Sequence, residues 1–230
     1  MSTLSVIVPV FNEEKTLQES YNRLKEIDDI ISHIIIVDDC SSDSSPQIIN
    51  NIKNQNTKVI VLKNPKNLGK GAALMTAQES ITTDFVVIHD ADLEYFPNDL
   101  RNMFELITTK NVDLVIGSRF LVDSKKIIYY RTYYANKFLS KVFSLIYRQH
   151  VTDVATCYKM MSSNYFKNIK LLEKGFSIEV ELLAKYFNKS NKFLETSIDY
   201  SARTYEEGKK IKFSDGFKYL WSMLKYRRFT

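Results

Sequence analysis

Asp84-Phe-Val-Val-Ile-His-Asp90-Ala-Asp92 is a short apolar run that ends in two carboxylates one alanine apart. Strand-length and bounded by polar residues, the run reads as a buried β-strand, in which residues i and i+2 face the same way. Asp90 and Asp92 then project side by side from its carboxyl end. Such a pair suits a hard divalent cation, because Mg²⁺ or Mn²⁺ takes one or two carboxylates and completes its shell with water and substrate phosphate oxygens. The pair points to a phosphorylated substrate. Taken alone, Asp-x-Asp also describes a solvated turn, so its placement has to decide.

Working outward, strand-like runs at 4–9, 33–37, 58–63, 85–89 and 113–117 alternate with helical patterns at 14–26, 44–54, 71–80 and 98–109. Short β-rich runs joined by helices of about ten residues predict an α/β fold with a mostly parallel sheet and helices on both faces. In such sheets ligands bind beyond the carboxyl ends of the strands. The residues found there are Pro9, Asn12 and Glu13; Asp38 and Asp39; Asn67, Gly69, Lys70 and Gly71; Asp90 and Asp92; and Gly117, Ser118 and Arg119. Loops are polar in general, but five strand ends carrying acids, amides, glycines or cations on one rim predict a binding site.

Each cluster has its own chemistry. Asp38 and Asp39 are placed to accept hydrogen bonds from a base or from ribose hydroxyls, whereas Asp43 reads as a helix cap. Asn67-Leu-Gly-Lys-Gly71 lacks the Walker spacing, so its glycines are expected to permit close backbone approach, with Lys70 a candidate for nucleotide or phosphate. A nicotinamide dehydrogenase is disfavoured, since no Gly-x-Gly-x-x-Gly follows the first strand.

Composition narrows the class further. The chain of 230 residues, 44% hydrophobic and 26% charged, suits one globular domain. Its two cysteines, Cys40 and Cys157, form neither a disulfide framework nor a zinc cluster, which fits a reducing, cytoplasmic setting. The first apolar segment is strand-sized rather than a leader, and no apolar run reaches the roughly 18 residues of a membrane span. The net charge of +5 conceals an asymmetry: residues 1–115 carry 10 Lys/Arg against 17 Asp/Glu, and residues 116–230 carry 22 against 10. A basic second half calls for an anionic partner, such as phosphate, nucleic acid or an acidic lipid surface. Nucleic acid is disfavoured by the absence of an RNA-binding motif or an aromatic stacking platform. Residues 129–147 and 215–229 place aromatic and basic residues at helical spacing, among them Tyr134, Phe138, Phe217, Trp221 and Leu224. Such helices lie in a membrane interface, pack on the sheet, or face a second copy of the chain.

Taken together and in this order, Val6-Ile-Val-Pro-Val-Phe-Asn-Glu13, Val37-Asp-Asp-Cys-Ser-Ser-Asp43, Asn67-Leu-Gly-Lys-Gly71, Asp90-Ala-Asp-Leu-Glu94 and Gly117-Ser-Arg119 resemble the inverting family 2 glycosyltransferases. Within that family the resemblance is to dolichol- or polyprenyl-phosphate mannosyl- and glucosyltransferases. It implies a GT-A fold over residues 1–230, with a donor half at 1–119 and a basic half at 120–230 that faces acceptor and membrane. It also implies a nucleotide-sugar donor, a polyprenyl-phosphate acceptor and peripheral attachment at the cytoplasmic face of a membrane. By the same resemblance, Pro9, Glu13, Asp38 and Asp39 hold base and ribose, Asp90 and Asp92 the metal, and Lys70, Arg119, Arg203 and Lys209 the phosphates. Cys157 and Lys159 stand where the family pattern has glycine and arginine. An alcohol acceptor would need a base, for which Asp153 or Glu179 is the candidate; a lipid phosphate needs none. Glu181 reads as part of an ordinary amphipathic helix.

Overall fold

The computed structural model describes residues 2–121, 130–203 and 214–227. Expectations that fall on Tyr129, on 204–210 with Lys209, and on Arg228 and Phe229 lie outside the described residues. In chain order the elements are β1 (Leu4–Val10), α1 (Leu17–Lys25), β2 (His33–Asp38), α2 (Ser45–Gln55), β3 (Val59–Lys63), α3 (Lys70–Ala77), β4 (Phe85–Ile88), α4 (Asp99–Thr109) and β5 (Leu114–Ser118). They continue with α5 (Tyr130–Tyr147), β6 (Lys159–Ser162), α6 (Ser163–Asn168), α7 (Ile178–Phe187), β7 (Phe193–Ser197) and α8 (Ser214–Lys225).

Seven strands form one sheet in the order β3-β2-β1-β4-β6-β5-β7. The pairs β3–β2, β2–β1, β1–β4 and β5–β7 are parallel, while β6 runs antiparallel to both β4 and β5. The mostly parallel expectation holds, and the antiparallel strand comes from the second half of the chain. Ile34, Ile35, Ile36 and Val37 are consecutive and each at most 1% exposed, so both faces of β2 are covered. That is how a central parallel strand can be apolar without alternation.

Register fixes where the strands stop. The β1–β4 pairing ends at Ile7 opposite Ile88, whereas β1–β2 continues to Val10 opposite Asp38. Pro9 therefore sits beyond the end of β4, where a residue without an N–H is tolerated in an otherwise central strand. The same overhang opens a space above β4. Asp90, Ala91 and Asp92 enter it.

Candidate active site

A cavity of about 300 Å³ lies over the carboxyl ends of β1, β2, β4 and β5. Pro9, Glu13, Asp39, Lys70, Asp90, Asp92 and Arg119 line it, joined by Glu179 from α7 and Arg203 from beyond β7. Asp38 and Asp153, also expected at the site, are not on its wall.

Asp90 and Asp92 are brought together but held differently. Lys70 Nζ lies 2.7 Å from Asp90 Oδ1 and 2.8 Å from Oδ2. Burial opposes the Asp90 charge, yet the Lys70 ammonium overrides it and the carboxyl titrates below its ordinary range. Asp92 Oδ2 takes Arg203 Nη2 at 3.0 Å, and its Oδ1 accepts the Glu94 N–H at 3.2 Å. Burial, then the charges of Asp90 and Glu94, push Asp92 up to about 7. Between Asp92 and Glu94, Leu93 adopts φ 66°, a left-handed conformation unfavourable for a branched side chain. That strained turn brings the Glu94 carboxylate into the same acidic group. Glu94 had no assigned role in the sequence reading, although a third acid two residues after an Asp-x-Asp pair was the available signal.

Among the described residues no group of three or more His, Cys, Asp or Glu side chains is disposed to hold a metal ion. Two carboxylates on one cavity wall, one of them ionising against its neighbours, nonetheless fit Mg²⁺ or Mn²⁺, which uses few protein ligands when phosphate oxygens supply the rest.

Behind Asp90 runs a line of buried charges. Lys70 Nζ is 2.8 Å from Glu179 Oε1, and Glu179 Oε2 is 2.6 Å from Lys159 Nζ, which also donates to the Thr156 carbonyl. Lys159 is wholly buried at the start of β6, so the family's arginine position carries an internal countercharge here. Arg119 makes a two-pronged pair with Asp153, Nε to Oδ2 at 2.7 Å and Nη2 to Oδ1 at 2.8 Å, and its backbone N–H donates to the same carboxylate at 3.1 Å. Its guanidinium packs over the rings of Phe120 at 5.3 Å and Tyr200 at 4.9 Å. Asp153 is 0% exposed. Both candidate bases are thus enclosed and paired with cations.

Asp39 organises the loop ahead of α3. Its carboxylate accepts from Asn64 Nδ2 at 2.7 Å, Leu68 N at 3.0 Å and Gly69 N at 2.7 Å. Those amides at a helix N-terminus serve an internal anion and not a bound phosphate. Gly71 N and Ala72 N donate to the Lys174 carbonyl at 2.7 and 3.3 Å. The close approach expected of Gly69 and Gly71 is therefore to the protein's own 173–175 backbone. A Cβ on Gly71 would lie 2.0 Å from the Glu173 oxygen, and one on Gly69 2.5 Å from that of Lys174. Glu181 is a buried anchor and not a surface acid: it accepts the N–H groups of Leu172 at 2.9 Å and Glu173 at 2.7 Å. Asp38 Oδ1 accepts Ser41 N at 2.8 Å; its buried Oδ2 has no hydrogen-bond partner among the described residues, Lys63 Nζ standing 3.8 Å away.

The two aromatic-basic helices split their faces. In α8, Tyr219 and Met223 are buried, while Phe217, Trp221 and Leu224 are 68%, 67% and 51% exposed. In α5, Leu139 and Phe143 enter the core, and Tyr130, Tyr134, Phe138 and Leu145 stay exposed. The helices pack on each other, with Tyr147 OH donating to the Met223 carbonyl at 2.8 Å. Among the described residues no helix is long and apolar enough to cross a membrane.

A family model described as glycosyl transferase family 2 matches residues 5–170. The chain is similar to a dolichol-phosphate mannosyltransferase of Pyrococcus furiosus, 26% identical over 226 residues and covering 94% of this chain and 61% of the relative. It is 25% identical over 228 residues to the low-salt glycan biosynthesis hexosyltransferase Agl6 of Haloferax volcanii, covering 96% of this chain and 53% of that protein. The chain thus spans between half and two thirds of the length of these two curated relatives. Among solved structures, glucosyl-3-phosphoglycerate synthase of Mycobacterium tuberculosis, in complex with Mn²⁺, UDP and phosphoglyceric acid, superposes with a TM-score of 0.74 at 17% identity, covering 100% of this chain and 80% of that one. At that identity the likeness establishes the fold, which is GT-A.

Proposed function

The chain belongs to glycosyl transferase family 2, and from that premise we propose that it moves a hexose, with inversion, from a nucleoside-diphosphate sugar to a polyprenyl or dolichyl phosphate. The observation that carries this reading is the pairing pattern at the cavity. Asp153 and Glu179, the acids available as bases, are consumed by Arg119 and by Lys70 and Lys159. Lys70, Arg119 and Arg203, each held by an acid, line the cavity and bring cationic groups to its wall. A phosphate acceptor is already anionic and needs cations beside it more than a base; a sugar hydroxyl would need the proton acceptor that these pairs remove.

Asp90 and Asp92 would hold Mg²⁺ or Mn²⁺, which supplies charge neutralisation for the departing nucleoside diphosphate. Pro9, Glu13 and Asp39, which line the cavity, form the nucleoside side, with Asp38 behind the wall beside Asp39. Arg119, fixed by Asp153, would present its guanidinium to phosphate, as would Arg203 from the second half; for Lys209, outside the described residues, the proposed role is a phosphate contact through its ammonium. Lys70 keeps Asp90 charged and oriented. The acceptor oxygen attacks the anomeric carbon opposite the leaving diphosphate, forming the new C–O bond as the old one breaks. The exposed stripes of α5 and α8, flanked by Lys137, Lys141, Lys218 and Lys225, support peripheral docking at the cytoplasmic face of an anionic membrane. The donor half is 1–119 and the acceptor half 120–230.

The test is incubation with undecaprenyl or dolichyl phosphate and labelled GDP- and UDP-sugars, with and without Mg²⁺ or Mn²⁺. Metal-dependent, acid-labile lipid product is expected, and Asp92→Asn should lose it while keeping its melting temperature. Absence of lipid product across both lipids and the common donors, or transfer to a sugar hydroxyl in its place, overturns the acceptor assignment.

A further inference from the structure

We infer that the Arg203 guanidinium and a divalent cation compete for the same carboxylates, so that the cation binds well only when a diphosphate offers Arg203 another partner. This rests on the proposed cation site at Asp90 and Asp92. Arg203 Nη2 lies 3.0 Å from Asp92 Oδ2, Nη1 lies 3.5 Å from Glu13 Oε2, and Nε lies 3.6 Å from Glu94 Oε1. The guanidinium is centred among three acids, one of them the carboxylate that the cation needs.

The seat holds the charge without satisfying its geometry. Of these three contacts the one to Asp92 is the shortest, and the buried Nε has no hydrogen-bond partner among the described residues. A planar fork with five donors pairs better with the paired oxygens of a diphosphate than with three carboxylates at unequal distances. The backbone is anchored independently: Arg203 N donates to Glu94 Oε1 at 3.0 Å, Ser201 N to the Glu94 carbonyl at 2.8 Å and Tyr200 OH to Glu94 Oε2 at 2.7 Å. Rotation of the side chain alone could therefore vacate Asp92. Since two cations sharing one carboxylate in a buried cavity repel, each weakens the other, and by linkage whatever attracts Arg203 away tightens the metal. Arg203 is here a positioning residue that sets metal affinity.

The experiment measures Mn²⁺ affinity from the electron paramagnetic resonance signal of the free ion, with and without UDP or GDP, in wild type, Arg203→Gln and Arg203→Lys. Arg203→Gln should bind Mn²⁺ without nucleotide about fivefold or more tightly than wild type. The gain on adding the nucleotide should shrink in that variant, and Arg203→Lys should fall between. Equal or weaker nucleotide-free binding by Arg203→Gln overturns the competition, because a residue that merely shapes the site would weaken the ion when removed. If Asp92→Asn retains wild-type Mn²⁺ affinity, or if no protein binds Mn²⁺ even with nucleotide, the cation site itself is wrong and the inference falls with it.

Discussion

Replacing Gly71 by alanine tests how the donor-side loop and the segment before α7 are joined. The added Cβ would sit 2.0 Å from the Glu173 oxygen and 2.9 Å from its carbon, whereas ordinary contacts between non-bonded heavy atoms fall at about 3.5 Å or more. The obstacle is backbone and it is held in place. Glu181 grips the amides of Leu172 and Glu173, and the Gly71 and Ala72 amides grip the Lys174 carbonyl. A shift large enough to relieve the clash stretches the 2.7 Å bond from Gly71 N to Lys174 beyond hydrogen-bond range. Overpacking of this kind costs about 1–3 kcal/mol and a lost hydrogen bond about 1 kcal/mol, against roughly 0.5–1 kcal/mol gained by placing alanine in a helix. The expected net loss is about 1–3.5 kcal/mol, or a melting temperature lowered by about 2–14 °C. Urea unfolding followed by circular dichroism reads the first and thermal unfolding the second. Gly175→Ala is the control, since its Cβ would meet nothing within 4 Å. A Gly71→Ala protein within about 0.5 kcal/mol of wild type, or no worse than Gly175→Ala, would refute the reasoning.

Two further predictions concern charge. Asp153→Asn strips the wholly buried partner from Arg119 and should destabilise the fold by about 3–5 kcal/mol, with activity falling in step; a variant of normal stability that loses turnover would instead mark Asp153 as a base. His89 is buried between Ser20 Oγ at 3.1 Å and Tyr158 OH at 2.8 Å, and burial lowers its pKa to about 4. Between that value and an unfolded pKa of about 6.5 the unfolded chain binds the extra proton, so this contribution is complete above about 6.5 and drains away as pH falls toward 4. In EDTA, stability should drop by about 2 kcal/mol more from pH 7 to pH 5 in wild type than in His89→Gln; parallel curves for the two proteins would dismiss the contribution.

The strand ends were readable because a parallel sheet enforces a simple relation between chain order and space. The expected strands at 33–37 and 85–89 became His33–Asp38 and Phe85–Ile88, with Asp39 and Asp90 at the rim. Less legible was the second half, whose antiparallel β6 enters between β4 and β5 and carries Lys159 into the core. Nothing in the local pattern of 153–159 distinguishes a lysine that meets solvent or phosphate from one that meets Glu179. The partner is 20 residues away in sequence and is chosen by packing.

The same distinction applies to the amphipathic helices. Helical periodicity placed Phe217, Leu220, Trp221 and Leu224 on one stripe, but periodicity describes a face and not what the face meets. Tertiary packing turned Tyr219 and Met223 inward, drew Leu220 against the core and left Phe217, Trp221 and Leu224 exposed.

By itself, the sequence determined the α/β class, the rim of strand ends and the carboxylate pair Asp90 and Asp92, because each follows from short-range periodicity and from the geometry of a strand terminus. Only the tertiary structure decided which charges are available for chemistry. Asp39 is committed to the loop before α3, Asp153 to Arg119 and Glu179 to two lysines, while Arg203 comes from far along the chain to sit on Asp92. The physical reason is that a buried charge must find a counterion, and that pairing is settled in three dimensions, between residues that the sequence keeps far apart.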